Sequence, residues 1–278
     1  MATNDLVPSW LTSWIAWRNV FTTDFDAIPF NLFKEEFGLN RMPTSAEYFK
    51  KYNNECPFCH GDFRVKSHDL GVVYCICQIL EKIHELETLY KPIRTATKEA
   101  HLSQIVYPTE MGGEYHRDMK KIVEAAKSFI KAPNNWLLLM GAPGTGKTHI
   151  LRSINTAFEP IALYLSCGKL EQLIHQFRKD DLLDEFYNVL VAAPILILDD
   201  IGIEYGGTLV KSMIEKIVDA RYEAFPDNLL VVASNLPPKE LQSYIPRASD
   251  RIFDRTRTLP FTVTRNKSIR EINPGLRS

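Results

Sequence analysis

The sequence predicts an α/β protein with a parallel sheet, preceded by a smaller domain. From about residue 105 onward, five apolar runs alternate with helical patterns. Runs that are apolar throughout and separated by helices are typical of parallel strands buried on both faces. The predicted strands are Trp136–Met140, Ile161–Leu165, Ile195–Leu198, Leu229–Ala233 and Leu259–Val263. The predicted helices lie over 119–130, 147–157, 169–192 and 208–225.

Length, composition and charge limit the classes of protein that are possible. A chain of 278 residues suggests about two domains. Its 45% hydrophobic and 24% charged residues exclude a mainly disordered or fibrous chain. The net charge of −1 means that nucleic-acid binding would need a local basic patch. No apolar run approaches the ~20 residues of a membrane span, and the N-terminus lacks a signal-peptide pattern, so we expect a cytoplasmic protein without a membrane partner.

The predicted organisation is an N-terminal domain over 1–90, a linker over 91–104 and an α/β domain over 105–278. The first 50 residues are rich in aromatic side chains, and four of them recur at the spacing of one helix face. These four are Trp10, Trp14, Trp17 and Phe21. Two interpretations stay open, packing within a small domain and binding to a partner, since Trp is favoured at interface anchors.

A phosphate-binding loop follows the first predicted strand. The segment 141–148, GAPGTGKT, fits the pattern G-x-x-x-x-G-K-[ST] in full and opens a helix. Its glycines let backbone N–H groups surround a phosphate, and the helix N-terminus adds a partial positive charge. Lys147 can reach the β- and γ-phosphates, and the hydroxyl of Thr148 can ligate Mg²⁺. The predicted nucleotide-binding residues here are Gly141, Pro143, Gly144, Thr145, Gly146, Lys147, Thr148 and His149.

Polar side chains end the third and fourth predicted strands. Asp199 stands where a carboxylate would hold Mg²⁺, and Asp200 could polarise an attacking water as a general base. A solvated acidic turn is the alternative. Asn235 ends the fourth strand, where it could also cap the turn that follows.

The C-terminal segment 241–278 is basic, with eight positive and three negative side chains. Arg251 and Arg255 are one helical turn apart, and a guanidinium suits a phosphate held by a neighbouring subunit. Internal ion pairs with Asp250 or Asp254 are the alternative.

In this order the motifs resemble the bacterial DnaC/DnaI-type helicase loaders, and the related IstB-type transposition helpers share much of the pattern. The similar segments are WLLLMGAPGTGKTHI, ILILDDIG, DARYE, ASNLPPKEL and SDRIFDR, within about residues 105–270. The resemblance implies an AAA+ ATPase core with strand order 5-1-4-3-2. It also implies ATP and Mg²⁺ as cofactors, ATP-dependent self-association on single-stranded DNA and delivery of a DnaB-type ring helicase.

The resemblance also implies roles for single residues. Asn235 takes the place of sensor 1, which orients water and reads the γ-phosphate, while Arg251 takes the place of the arginine finger. Arg270 takes the place of sensor 2, beside the nucleotide. Two features depart from standard AAA+ proteins, because Asp200 stands where Glu is usual and only 23 residues follow Arg255, too few for a full lid. The implied catalytic set is Lys147, Asp199, Asp200, Asn235 and Arg251.

Four of the five cysteines form a cluster that predicts a metal site. Cys56 and Cys59 form a C-x-x-C pair, and Cys75 and Cys77 form a C-x-C pair fifteen residues later. In a cytosolic chain such a cluster indicates metal rather than disulfides. A segment this short can bury only a small hydrophobic core. We therefore expect structural Zn²⁺, held by four thiolates, to supply the folding energy.

Other interpretations of the cluster are an iron–sulfur site and unliganded thiols, with His60 and His68 as alternate ligands. DnaI-type loaders resemble this chain in carrying an N-terminal zinc module that docks on the helicase. IstB-type helpers lack such a module, so the resemblance favours a loader.

Three functions follow as hypotheses: a helicase loader, an IstB-like regulator that activates a transposase on DNA, and a non-catalytic scaffold. In loaders, a helix after the second strand of the sheet lines the inner surface and touches single-stranded DNA. The matching basic residues are Lys169, His175, Arg178 and Lys179. A solvated face is the alternative, since the acidic residues Asp180, Asp181, Asp184 and Glu185 follow.

Overall fold

A computed structural model describes residues 13–15, 17, 43–52, 55–67, 71–94, 98–105, 112–202 and 207–263. The chain divides into two compact units, Met1–Leu89 and Tyr90–Ser278. Within the described residues, no helix is both long and apolar enough to cross a membrane.

The smaller unit contains a short antiparallel hairpin. Its described elements are α1 (Ser45–Lys51), β1 (Arg64–Ser67), β2 (Gly71–Tyr74) and α2 (Ile76–Tyr90). Helix α1 begins with a capping box, in which the Thr44 hydroxyl accepts from the Glu47 backbone and the Glu47 carboxylate accepts from that of Thr44.

Part of the predicted aromatic helix is described, at residues 13–15 and 17. Trp14 and Trp17 are each 1% exposed, and the Trp17 indole donates to the Tyr74 carbonyl at 2.9 Å. These two side chains therefore pack within the smaller unit. Trp10 and Phe21 lie outside the described residues.

The larger unit is built on a five-stranded parallel sheet. Its strands are β3 (Trp136–Gly141), β4 (Ala162–Ser166), β5 (Ile195–Ile201), β6 (Leu229–Ser234) and β7 (Thr258–Val263). They lie in the order β4-β5-β6-β3-β7. Numbered 1 to 5 along the chain and taken from the β7 edge, this is 5-1-4-3-2, the order that the resemblance implies. Every residue of β6 is buried, as its unbroken apolar sequence requires.

Helices cover the sheet and connect its strands. They are α3 (Gly112–Lys131), α4 (Lys147–Phe158), α5 (Cys167–Lys179), α6 (Leu183–Ala192), α7 (Thr208–Glu223), α8 (Pro238–Tyr244) and α9 (Pro246–Ile252), with a 3₁₀ turn at Leu102–Gln104. The predicted single helix over 169–192 is wrong, because the chain turns between α5 and α6. Asp181 has a left-handed φ of 58°, and the rings of Phe177 and Phe186 stack at 4.7 Å across the turn.

The described part of the predicted linker, 91–94 and 98–104, belongs to the larger unit. Arg94 donates to the carbonyl of Ala162 at 3.0 Å and to that of Pro160. Further along, the backbone N–H of Ala100 donates to the Thr156 hydroxyl at 3.3 Å. These residues therefore pack on β4, α4 and the turn between them.

Candidate functional site

The predicted phosphate loop joins β3 to the first turn of α4 and contains all eight predicted residues, Gly141 to His149 without Ala142. Two glycines are required by the geometry. At Gly141 an added Cβ would lie 2.7 Å from the Val263 carbonyl oxygen, so only glycine lets β7 approach. Gly146 begins α4 with a left-handed φ of 96°. The loop therefore ends at a helix N-terminus, the arrangement that binds phosphate.

Lys147 lies across this loop and is 4% exposed. Its ammonium donates to the carbonyl oxygens of Gly141 and Ala142 at 2.6 and 3.1 Å, and to the Thr145 hydroxyl at 3.3 Å. A fourth contact, at 2.8 Å, joins it to the Asn235 side-chain oxygen. The charged group is thus placed at the phosphate loop by fixed protein oxygens.

Asn235 links Lys147 to Asp200. Its amide nitrogen donates to the Asp200 carboxylate at 3.0 Å, while its oxygen accepts from Lys147. This assignment satisfies both neighbours, since ammonium only donates and carboxylate only accepts. The structure therefore brings Lys147, Asn235 and Asp200 together in one hydrogen-bonded chain, as their sequence motifs predict.

A bulge in β5 sets the directions of the two acids. The register between β5 and β6 shifts between Leu198 and Ile201, and Asp200 has a left-handed φ of 61°. Asp200 points to Asn235, whereas Asp199 points to Tyr164 on the other neighbouring strand. Aspartate and asparagine are among the few residues other than glycine that accept a left-handed backbone. The backbone at this position therefore favours a short polar side chain such as aspartate.

Asp199 is 1% exposed, and both of its oxygens are held. Oδ2 accepts from the Tyr164 hydroxyl at 2.5 Å, and Oδ1 accepts from the Asp200 backbone at 3.0 Å. Burial raises the pKa of the Asp199 carboxyl. Hydrogen bonding by Tyr164 and Thr148 acts in the opposite direction and lowers this pKa. A hydroxyl beside a carboxylate is a set of hard oxygen donors, so Thr148 and Asp199 fit Mg²⁺.

Arg251, predicted as a finger, forms an ion pair within its own chain. Its Nε lies 2.8 Å from Asp219 Oδ1 on α7, and its guanidinium lies 5.9 Å from the Tyr222 ring centroid. The alternative prediction of an ion pair with Asp250 or Asp254 is therefore wrong, because the partner of Arg251 is Asp219. Asp254 instead accepts from the Tyr222 hydroxyl at 2.5 Å.

The sequence also singled out two further basic residues, Arg255 and Arg270. The Arg255 side chain is exposed. Arg270 lies outside the described residues.

The predicted DNA-contacting residues lie on α5. Lys169 is half-buried, whereas His175, Arg178 and Lys179 are exposed. The acidic residues Asp180, Asp181, Asp184 and Glu185 are exposed as well. Both the DNA-binding and the solvated interpretations are compatible with this placement.

The four clustered cysteines converge in the smaller unit. Their Sγ atoms all lie within 4.8 Å of one another, with 3.4 Å between Cys56 and Cys75 and 3.6 Å between Cys59 and Cys77. Zn–S bonds of about 2.3 Å in a tetrahedron place thiolates about 3.8 Å apart, so this donor set fits zinc. Among the described residues no histidine joins the group; His60 is exposed, and His68 is not described.

The sequence analysis did not identify two side chains that make important contacts, the half-buried Tyr164 and the buried Arg221. The Tyr164 hydroxyl donates a hydrogen bond to Asp199. The sequence feature that could have indicated it is a hydroxyl-bearing residue within an apolar strand. Arg221 is 0% exposed and donates to the carbonyls of Leu190, Val191, Ala193 and Leu229. Apart from the segment DARYE, no local pattern indicated this arginine.

Comparisons with known proteins agree with this architecture. Residues 115–255 match the family of the bacterial DnaA ATPase domain. The chromosomal replication initiator protein DnaA of Aquifex aeolicus is 25% identical over 146 residues, which are 51% of this chain and 35% of that protein. DnaA of Bifidobacterium animalis subsp. lactis is 24% identical over 166 residues, covering 55% of this chain and 27% of that protein. The chain thus spans about a third of the length of these curated relatives.

Two solved structures share the fold. A DNA replication initiation factor superposes with a TM-score of 0.50 at 19% identity, covering 60% of this chain and 51% of that one. A DnaC helicase loader superposes with a TM-score of 0.50 at 16% identity, covering 59% of this chain and 97% of that one. The AAA+ fold that the sequence implies is therefore confirmed. Because the family match covers half of the chain and includes the phosphate loop, both acids, Asn235 and Arg251, the chain belongs to the bacterial DnaA ATPase domain family.

Proposed function

We propose that this chain is an ATP-dependent loader that delivers a DnaB-type replicative ring helicase onto single-stranded DNA. The observation that carries the proposal is the combination of two units in one chain. One unit is an AAA+ ATPase unit of the DnaA family, and the other gathers four thiols that fit zinc. Similarity in fold to a DnaC helicase loader supports the same function.

The larger unit would bind and hydrolyse ATP. The loop would surround the phosphates, and the Lys147 ammonium would turn from loop carbonyls to phosphate oxygens. Asp200, held by Asn235, would accept a proton from the attacking water. Thr148 and Asp199 would hold Mg²⁺, which neutralises phosphate charge when bound.

The smaller unit would hold structural Zn²⁺ through Cys56, Cys59, Cys75 and Cys77. Four thiolates fill a tetrahedral site and leave no open position for catalysis. We infer that this unit is the helicase-binding part, because it carries none of the nucleotide-binding residues and forms a separate compact body.

Self-association would complete the ATPase. Arg251 would leave Asp219 and reach the nucleotide of a neighbouring copy, while the exposed basic residues of α5 would contact single-stranded DNA. Arg270 as sensor 2 and cytoplasmic residence remain part of the proposal.

Affinity capture from the native host tests the proposal, with the purified chain as bait in the presence of ATP. We expect the replicative ring helicase to be retained. Cys56→Ser, which removes one thiol of the smaller unit, should lose the helicase, whereas Cys167→Ser in the larger unit should keep it. Retention of an integrase-fold transposase would instead support the IstB-like regulator. Retention of neither protein would contradict the loader.

A further inference from the structure

Tyr164 contacts the candidate Mg²⁺ ligand Asp199 from the neighbouring strand. It lies on β4, the strand that pairs with β5 so that Ser166 is opposite Asp199. From there its hydroxyl reaches Asp199 Oδ2 at 2.5 Å. The other oxygen of Asp199 accepts from the Asp200 backbone at 3.0 Å. Because a donor holds each oxygen, the carboxylate is fixed in rotation.

The direction of the hydrogen bond between Tyr164 and Asp199 follows from the chemistry of its two partners. A carboxylate has only acceptors, so the Tyr164 hydroxyl donates its hydrogen to Asp199 Oδ2. Arg152 on α4 acts on the tyrosine as a positive charge.

Helix α4 supplies the second candidate Mg²⁺ ligand, because Thr148 lies in its first turn. The Thr148 hydroxyl lowers the pKa of Asp199 against the effect of burial. The two candidate ligands therefore act on each other across the phosphate loop.

We propose that Tyr164 is a positioning residue that holds the Asp199 carboxylate in the rotation in which it and Thr148 meet Mg²⁺. The proposal rests on the ATP-dependent function proposed above. Hydrogen-bond partners of metal ligands typically contribute about 10–100-fold to metal affinity. We therefore expect the loss of the Tyr164 hydroxyl to weaken metal binding rather than nucleotide binding.

The test measures metal affinity directly, with Mn²⁺ as the probe. Free Mn²⁺ is followed by electron paramagnetic resonance while the full chain is titrated at saturating non-hydrolysable ATP analogue. Tyr164→Phe should raise the Mn²⁺ dissociation constant about 10–100-fold. Its affinity for the analogue in EDTA should equal that of the wild type. The matched control is Tyr222→Phe, because Tyr222 also donates to an aspartate, Asp254, at 2.5 Å, but outside this site.

Wild-type Mn²⁺ affinity in Tyr164→Phe would overturn the positioning role. Equal weakening in Tyr222→Phe would overturn it too, since that change removes a similar hydrogen bond outside the site. Failure of the wild-type chain to bind the analogue at all would instead overturn the ATP-dependent function, and the positioning role with it.

Discussion

At the scale of single residues, the backbone of Asp200 restricts which side chain can stand beside Asn235. The bulge of β5 gives Asp200 a left-handed φ of 61°, and its carboxylate is anchored by Asn235 at 3.0 Å. A left-handed backbone costs most residues roughly 1–2 kcal/mol, but short polar side chains can offset part of it locally. Charge and backbone conformation thus both favour aspartate here.

We predict that Asp200→Asn and Asp200→Glu fail in different ways. Asn fits the left-handed backbone but cannot act as a base, so Asp200→Asn should fold normally, bind ATP and lose hydrolysis. Asp200→Glu keeps the charge but should lower the free energy of unfolding by about 1 kcal/mol. Urea denaturation beside ATP turnover measures both effects. Equal stability of Asp200→Glu and wild type would contradict the importance of the bulge.

The phosphate loop could be predicted from sequence because its residues are contiguous, and the acids because each ends an apolar run. The contacts of Tyr164, Asp219 and Arg221 could not be predicted in this way. Tyr164 and Asp199 are 35 positions apart, and only strand pairing brings them together. Their partners are therefore set by tertiary structure rather than by a local pattern.

At the scale of elements, Arg221 joins three pieces of the larger unit. From α7 it donates to Leu190 and Val191 at the end of α6, to Ala193 after it and to Leu229 at the start of β6. The last carbonyls of a helix have no partner within it, and a cation there is favourable. The buried guanidinium therefore caps α6 from a neighbouring helix.

Replacing Arg221 by Met should lower the free energy of unfolding by at least about 3 kcal/mol. Each buried carbonyl left without a donor costs about 1–3 kcal/mol. Arg221 donates to four carbonyls, of which that of Val191 keeps a second donor, the Asn228 amide at 2.9 Å. Arg247→Met is the matched control, since that side chain is 74% exposed and its loss should change stability by less than about 0.5 kcal/mol. Comparable denaturation midpoints for the two variants would show that Arg221 is no cap.

The four clustered thiols of the smaller unit lead to a second prediction at this scale. The purified chain should contain one zinc ion, and Cys56→Ser or Cys77→Ser should lose it, because a tetrahedral thiolate site needs all four ligands. ATP binding should survive in both variants, since the two units are separate compact bodies. Cys167→Ser should keep the zinc. Elemental analysis that finds no zinc, or iron in its place, would contradict the assignment.

The break between α5 and α6 shows where helix prediction fails. The apolar spacing over 169–192 continues through the turn, so the pattern alone predicts one helix. The left-handed Asp181 and the stacking of Phe177 on Phe186 reverse the chain instead, and both depend on packing.

At the scale of the whole molecule, the ion pair of Arg251 bears on the proposed self-association. Within the chain Arg251 pairs with Asp219. The Arg251 side chain is 35% exposed, and the Asp219 side chain is 28% exposed. Surface ion pairs of this kind contribute only about 0–1 kcal/mol, so a nucleotide on a neighbouring copy can compete for the guanidinium.

We predict that ATP hydrolysis rises more than linearly with protein concentration. Arg251→Ala should bind ATP normally and fail to hydrolyse it, since a guanidinium supplied in trans contributes about 10³–10⁵ to the rate in other P-loop enzymes. Mixing Arg251→Ala with Lys147→Ala should restore some hydrolysis, because one subunit supplies the finger and the other the intact loop. A mixture no more active than either variant alone would assign Arg251 to its pair with Asp219.

Helicase loading on closed circular single-stranded DNA tests the central claim most directly. A closed protein ring cannot thread a closed circle unless the ring opens, so salt-resistant retention of helicase on the circle reports loading itself. The quantity to measure is the fraction of the host's ring helicase that elutes with the circular DNA after a high-salt wash. The loader predicts retention that requires both the wild-type chain and ATP, and that is lost with Lys147→Ala. Equal retention without the chain, or with Lys147→Ala in its place, would contradict the proposed function.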